Sequence, residues 1–309
     1  SRATPFLFCG LATAMSFRAG IYNLAAEGQF LAGLLFAGFF IYALGDYHWP
    51  VLFPLVILLG VLGGLLVGLV MGLLKRIFHV HEILSSILVI YLLQWVFYFF
   101  IRLIGPGDNL PDQATINYLF PETRFNEGIY YALLTAVIFY FFYRYHLFSF
   151  QIKLMGKARH LVFQTGKREE TIYWLVLLTA AGVAGLAGSI ELLDNWHNLQ
   201  NGLDDTVAPF WLLEGGVLAA VYLGRTTPLG VTLASFFMSA MGILINIGKE
   251  KWLSGSAIRA DGLFLLFCAI LLACLSLFDM LARYKVNIDE LLQQSRQENK
   301  TNNKKTKTK

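Results

Sequence analysis

Nine apolar runs, each of roughly 17 to 25 residues, divide this sequence, and that is the length an α-helix needs to cross about 30 Å of hydrocarbon. They cover approximately residues 5–21, 27–44, 50–74, 81–104, 128–145, 171–193, 207–223, 229–247 and 262–282, with the charged residues collected between them. The runs are continuous, whereas lipid-facing barrel strands alternate with period two and need only about ten residues. The expected fold class is therefore all-α, a polytopic helical membrane protein. Composition excludes an ordinary soluble domain, with 57% of residues hydrophobic and 14% charged.

Basic residues orient the spans, because positively charged short loops stay in the cytoplasm. Assigning alternate loops to alternate sides puts Arg18, Lys75, Arg76, the cluster from Arg144 to Arg168, Arg225 and the basic tail together. About 18 Lys and Arg residues then fall on that side and about 6 on the other. The C-terminus is expected inside, and nine spans place Ser1 outside. The chain lacks an initiating Met and a cleavable signal pattern, so we expect a fragment, with one further span upstream making about ten. Residues 1–285 read as the membrane domain, with a cytoplasmic loop at 148–170. Residues 286–309, ending in NKKTKTK, read as a disordered basic cytoplasmic tail. Cys9, Cys268 and Cys274 lie within apolar spans and imply no disulfide framework.

A transporter, a membrane enzyme and a scaffold each need different polar residues. The His79-Val-His81-Glu82 stretch is not HExxH, and Ser254-Gly255-Ser256 has no partner histidine at membrane depth, so an enzyme is disfavoured. Polar groups in or at the mouths of spans mark interior paths, because charge in hydrocarbon is costly. They are Asn23, Glu27, Gln29, Glu82, Ser85, Ser86, Gln94, Glu191, Glu214 and Asn246. Few of them are charged, which leans towards a neutral solute and an external energy source, with an ion-coupled secondary transporter as the alternative.

The stretch AGIYNLAAEGQF breaks the helix between the first two runs, and a break at membrane depth must be surrounded by protein or water. Glu27 opens the second run. It reads as a cap on the positive helix end, a solute contact or an ion-pair partner of Arg18. The small-residue face AAGVAGLAGS at 180–189 reads as a close helix-packing surface. Glu214-Gly215 echoes Glu27-Gly28 in a run of opposite direction, as an inverted repeat would.

TPFLFCGLATAMSFRAGIYNLAAEGQFLAG at 4–33 resembles the signature region of permeases from bacterial ABC importers, the family of branched-chain amino-acid, ribose-type sugar and nucleoside permeases. HEILSSIL at 81–88 is similar to NEVISTIM of the nucleoside-type branch, and GVLAAVYLGRTTPLGVTLAS at 216–235 is similar to a further segment of it. The resemblance implies a bacterial inner-membrane permease subunit that works with a second permease, homo- or heterodimeric. It further implies two ATP-binding subunits and an extracytoplasmic solute-binding protein. ATP and Mg would be held by those ATP-binding subunits; no GxxxxGK[ST] loop occurs in this chain, and no cofactor is expected in it. The implied solute is a nucleoside first, with riboflavin and simple sugars as alternatives.

The family's ATPase-docking pattern GxNPxAARYAG corresponds to GKARHLVFQTG at 156–166, with Arg159 in place of the proline and Phe163 in place of the arginine. The coupling residues implied are Gly156, Lys157, Arg159, Leu161, Val162, Phe163 and Gly166. Independently, Leu161, Val162 and Phe163 form an apolar knob among basic neighbours. The expected solute-path residues are Asn23, Glu27, Gln29, Ser85, Ser86, Gln94 and Glu214.

Overall fold

The computed structural model describes residues 3–44, 49–104, 118–120, 123–166, 168–196, 211–252, 260 and 262–281. The chain divides into two compact units, Ser1–Leu265 and Leu266–Lys309. The first contains α1 (Ala3–Arg18), α2 (Ala26–Leu44), α3 (Trp49–Phe78), α4 (Glu82–Ile104), α5 (Gly128–Tyr145), α6 (Leu147–Lys157), α7 (Glu169–Glu191), α8 (Trp211–Leu223) and α9 (Pro228–Trp252). A last helix, α10 (Gly262–Leu281), lies mostly in the second unit. A short antiparallel pair, β1 (Tyr118–Phe120) with β2 (Thr123–Asn126), is the departure from all-helical structure among the described residues. The expected tail at 286–309 lies outside them.

Five helical segments are long and apolar enough to cross a membrane: Phe53–Phe78, Glu82–Phe100, Glu169–Asp194, Pro228–Lys249 and Gly262–Leu281. A sixth follows if α5 and α6, bent by 79°, form one broken span. The expected nine are thus not reached among the described residues. The run at 5–21 yields only the 16-residue α1, because the chain turns at Arg18. The run at 27–44 gives a shorter apolar helix, Ala26–Ile41. The run at 207–223 is described as helix only from Trp211.

The helices show the two faces that a bilayer demands. On α4, Leu84, Leu88, Tyr91, Trp95 and Phe99 form an exposed stripe at three- to four-residue spacing, while Glu82, Ser85, Ser86, Val89, Ile90 and Phe97 are buried. An apolar face of this extent is stable against lipid and not against water.

At the centre of the first unit, α2, α3 and α7 pack backbone to backbone. A Cβ on Gly33 would lie 2.2 Å from the carbonyl oxygen of Gly185, and one on Gly64 would lie 2.2 Å from that of Ala181. Only glycine permits such an approach, so the small-residue face at 180–189 is used for helix packing. Of the apolar window of α7, 72% is buried, against 28% for α4, which makes α7 the central helix and α4 a peripheral one.

Candidate functional site

The site is built where α1 stops. Gly20, at φ +73°, is the left-handed residue that ends the helix. Its N–H donates to the carbonyl of Phe17 at 3.0 Å, and the Ile21 N–H donates to that of Ser16 at 2.9 Å, the paired bonds of a Schellman turn. The connection 19–25 then leads to α2 through a tight turn, the Asn23 N–H donating to the Ile21 carbonyl at 2.9 Å, with Ile21, Asn23 and Ala25 buried. A buried connection must find partners for its backbone groups. The Asn23 Oδ1 accepts from the Ala25 N–H at 3.1 Å, so Asn23 leads the chain into α2. The first turn of α4 supplies the rest: the Tyr22 N–H donates to the Glu82 carboxylate at 3.3 Å, and the Leu24 N–H to the Ser86 Oγ at 3.2 Å.

The expected path residues divide by what they touch. Asn23 and Gln29 are fully buried and exchange two amide hydrogen bonds, each 3.4 Å long; Gln29 also approaches the Met71 sulfur at 3.7 Å. Gln94 donates to the Glu27 carboxylate at 3.2 Å, joining α4 to the first turn of α2. Ser85 and Ser86 both donate to the Glu82 carbonyl, at 2.9 and 2.8 Å. Glu214 lies on α8, but its side chain falls outside the described residues, so its echo of Glu27 has no described geometry and an inverted repeat is not established.

Cations ring this end of the molecule. Lys75 pairs with Glu82 and stands 4.0 Å from the centre of the Tyr173 ring. Arg76 pairs with Glu170 at 3.1 Å, and Arg18 lies 4.4 Å from the Tyr143 ring centre. Between the ends of α3 and α7, a cleft of about 400 Å³ is lined by Lys75, Arg76, His79, Glu169, Glu170 and Tyr173, among others.

The segment that resembles the docking pattern reaches the same place. After α5, His146 adopts an extended conformation, turns the chain through 79°, and its Nδ1 accepts from the Phe148 N–H at 3.1 Å to start α6. A 3-10 helix, Arg159–Thr165, follows. Gly156 packs so closely on α1 that a Cβ there would lie 2.3 Å from the Arg18 carbonyl oxygen, and a Cβ on Gly20 would lie 3.3 Å from the Gly156 Cα. Arg159 donates to the Gly20 carbonyl at 3.1 Å and pairs with Glu169 at 3.5 Å. Lys157, Arg159 and Gly166 are exposed, Leu161 is half-buried and Val162 is buried. The Phe163 side chain is outside the described residues.

Two residues escaped the sequence reading, Lys75 within this arrangement and Asp194 at the opposite end of α7. Lys75 carries no signal beyond its place after an apolar run. Asp194, buried in a π-helical turn that follows α7, accepts from the Gly128 N–H at 3.3 Å and so anchors the start of α5.

A helical bundle with lipid-facing stripes, a broken buried connection and a loop helix seated on that break defines a membrane transport subunit. The family model described as branched-chain amino acid transport system, permease component, matches residues 1–275, and the chain belongs to that family. It is 28% identical over 250 residues to the guanosine ABC transporter permease protein NupP of Bacillus subtilis, covering 78% of this chain and 70% of the relative. The glucose ABC transporter permease protein TsgB13 of Haloferax volcanii is 26% identical over 258 residues, 78% of this chain and 66% of its own length. The nucleoside ABC transporter permease protein NupB of Lactococcus lactis is 22% identical over 255 residues, 77% and 68% of the two chains. No solved structure matches the chain. The chain is thus a multi-pass ABC transporter permease subunit, a transport component whose ATPase is a separate chain.

Proposed function

We propose that this chain forms half of the membrane path of an ATP-driven importer in a bacterial inner membrane and moves a nucleoside, with a simple sugar as the second candidate solute. Two of the relatives named above carry nucleosides or guanosine and one carries glucose in their names, which supports that order. Riboflavin has no such support and is not proposed. The solute arrives from an extracytoplasmic binding protein, a second permease subunit completes the path, and ATP-binding subunits bear on the segment 156–166 from the cytoplasm. That end is cytoplasmic because its loops carry the basic residues, and the same alternation puts the C-terminus inside.

One observation carries the mechanism: the segment that resembles an ATPase-docking element is packed against the break between α1 and α2. In the conformation described, Asn23 pairs with Gln29 and Glu27 with Gln94, so these four polar groups of the path engage one another. Movement of the docking segment parts α2 from α4, and these amides and hydroxyls, with Ser85, Ser86 and Glu214, are then free to bind the hydroxyl and base groups of a passing neutral solute. Exchange of one hydrogen bond for another keeps the path's energy level across the cycle.

Purification of the full-length protein from detergent-solubilised membranes, with identification of co-purifying chains and an ATPase assay with guanosine and glucose, tests this reading. Recovery of an ATP-binding subunit and stimulation by guanosine are expected. A protein that purifies alone and still moves solute in vesicles would overturn it in favour of an ion-coupled carrier.

A further inference from the structure

We infer that Arg159 is the positioning residue that ties the docking segment to the broken connection 19–25, so that movement of the segment pulls that connection and, through it, the first turn of α4. This rests on the proposed function above. It adds the route by which force enters the helices.

The connection is held from two sides. On one side are its two contacts to the docking segment: the Arg159 guanidinium on the Gly20 carbonyl, and the approach of Gly20 to Gly156. On the other side are two contacts to α4, Tyr22 N–H to Glu82 and Leu24 N–H to Ser86. Between them the chain is only a few residues long and is tightened by the Asn23 N–H, which donates to the Ile21 carbonyl at 2.9 Å, so displacement at Gly20 reaches Leu24 with little slack. α4 is a suitable receiver, because little of its surface is buried and its described side-chain bond to α2, Gln94 to Glu27, is one that can be exchanged. The central α2, α3 and α7, locked at their glycines, are poor receivers.

The second partner of Arg159 has a different weight. Glu169 is half-exposed, and an ion pair in that setting contributes little. The bond to the Gly20 carbonyl is exposed as well, but it is charge-assisted and ends on a backbone group that the left-handed turn holds in place, so it is the contact that joins the segment to the connection.

The test uses the complete transporter, this chain with its ATP-binding and permease partners, in proteoliposomes with the binding protein and radiolabelled guanosine, or glucose if wild type takes up only that. The readout is solute imported per ATP hydrolysed. Arg159→Ala is expected to lower that ratio about fivefold, the net worth of one hydrogen bond open to solvent. Arg159→Lys, which retains a donor, should restore at least half of the ratio, and Glu169→Gln should lower it less than twofold. Gly156→Ala keeps Arg159 but drives a methyl against the Arg18 carbonyl, and it should lower the ratio as well.

A wild-type ratio in Arg159→Ala or in Gly156→Ala overturns the inference. So does loss of the ATP-binding subunits from Arg159→Ala, which would make Arg159 a docking contact rather than a link to Gly20. Failure of the wild-type chain to hold any ATP-binding subunit is a separate result, and it would strike the proposed function itself.

Discussion

The α2/α3/α7 centre and the basic end around residues 19–25 solve the problem of close packing in opposite ways. In the centre, backbone lies on backbone: Gly33 on Gly185, Gly64 on Ala181 and Gly188 on Phe30, with no polar side chain needed to hold the helices together. At the basic end, side chains hold backbone: Glu82, Ser86, Asn23 and Arg159 each satisfy a group of a connection that has no regular structure. Backbone contacts of the first kind have one arrangement, because the helices cannot slide without collision. Hydrogen bonds of the second kind can be exchanged one at a time. The centre is thus built as a rigid body and the basic end as a joint, which is the division that the proposed ATP-driven cycle requires.

The sharpest way to break this comparison is to add volume to the centre. Gly185→Val places a Cβ 2.4 Å from the Gly60 carbonyl oxygen, and no flexible side chain is there to yield. The expected loss is about 3 kcal/mol or more, the upper end for overpacking. It should appear as loss of the monodisperse peak in detergent size-exclusion chromatography and of the thermal transition. A variant as stable as wild type would show that the centre is not rigid.

The corresponding change at the joint should affect transport more than folding. Glu82→Ala removes the acceptor of the Tyr22 N–H and the partner of Lys75 together. Stability should fall by about 2 kcal/mol, since the ammonium still reaches the Tyr173 ring and water. Uptake of the transported solute by the reconstituted transporter should fall at least tenfold. A drop in folded yield as large as that for Gly185→Val would remove the distinction between body and joint. Asn23→Ala is the milder probe: it deprives the Ala25 N–H and the Gln29 amide of a partner, for about 1 to 2 kcal/mol in thermal unfolding. Asn23→Asp keeps the acceptor and should recover part of that loss.

How much of this was legible in the sequence follows from which interactions leave a local trace. Helix existence did, because apolar length is written in consecutive residues, and so did the stop at Arg18-Ala19-Gly20, where a C-terminal glycine ends an apolar run. The close packing at 180–189 was readable from small residues four apart. The partner of Glu27 was not. Its place in the first turn of α2 is visible in the sequence, but that it receives Gln94 from α4 is not, because the two residues stand far apart in the chain. The 79° turn into α6 was also hidden, because it depends on the conformation of one residue, His146, while the flanking residues look equally helical. Contacts such as Tyr22 with Glu82 and Arg159 with Gly20 use a backbone group on one side, and a backbone group has no letter in the sequence.

The smallest effect concerns a turn at the same end, between α8 and α9. The Thr226 N–H donates to the Val221 carbonyl and the Arg225 N–H to that of Tyr222, the same paired bonds that close α1. At α1 the left-handed position is Gly20; at α8 it is Arg225, at φ +49°, followed by Thr226 at +55°. α9 starts cleanly after it, with the Thr227 Oγ accepting from the Gly230 N–H at 3.2 Å and Pro228 in the first helical position. A side chain in the left-handed region costs about 1 kcal/mol relative to glycine, less the entropy that glycine loses on folding. Arg225→Gly should therefore stabilise the protein by about 0.5 kcal/mol, a rise of a degree or two in the melting temperature in detergent. Arg225→Ala removes the same charge and keeps a side chain in the left-handed region, so a role of the charge alone should lower uptake equally in both variants. If uptake falls in Arg225→Gly and not in Arg225→Ala, the strain is retained for use, and this turn would join residues 19–25 as a second joint rather than a fixed corner.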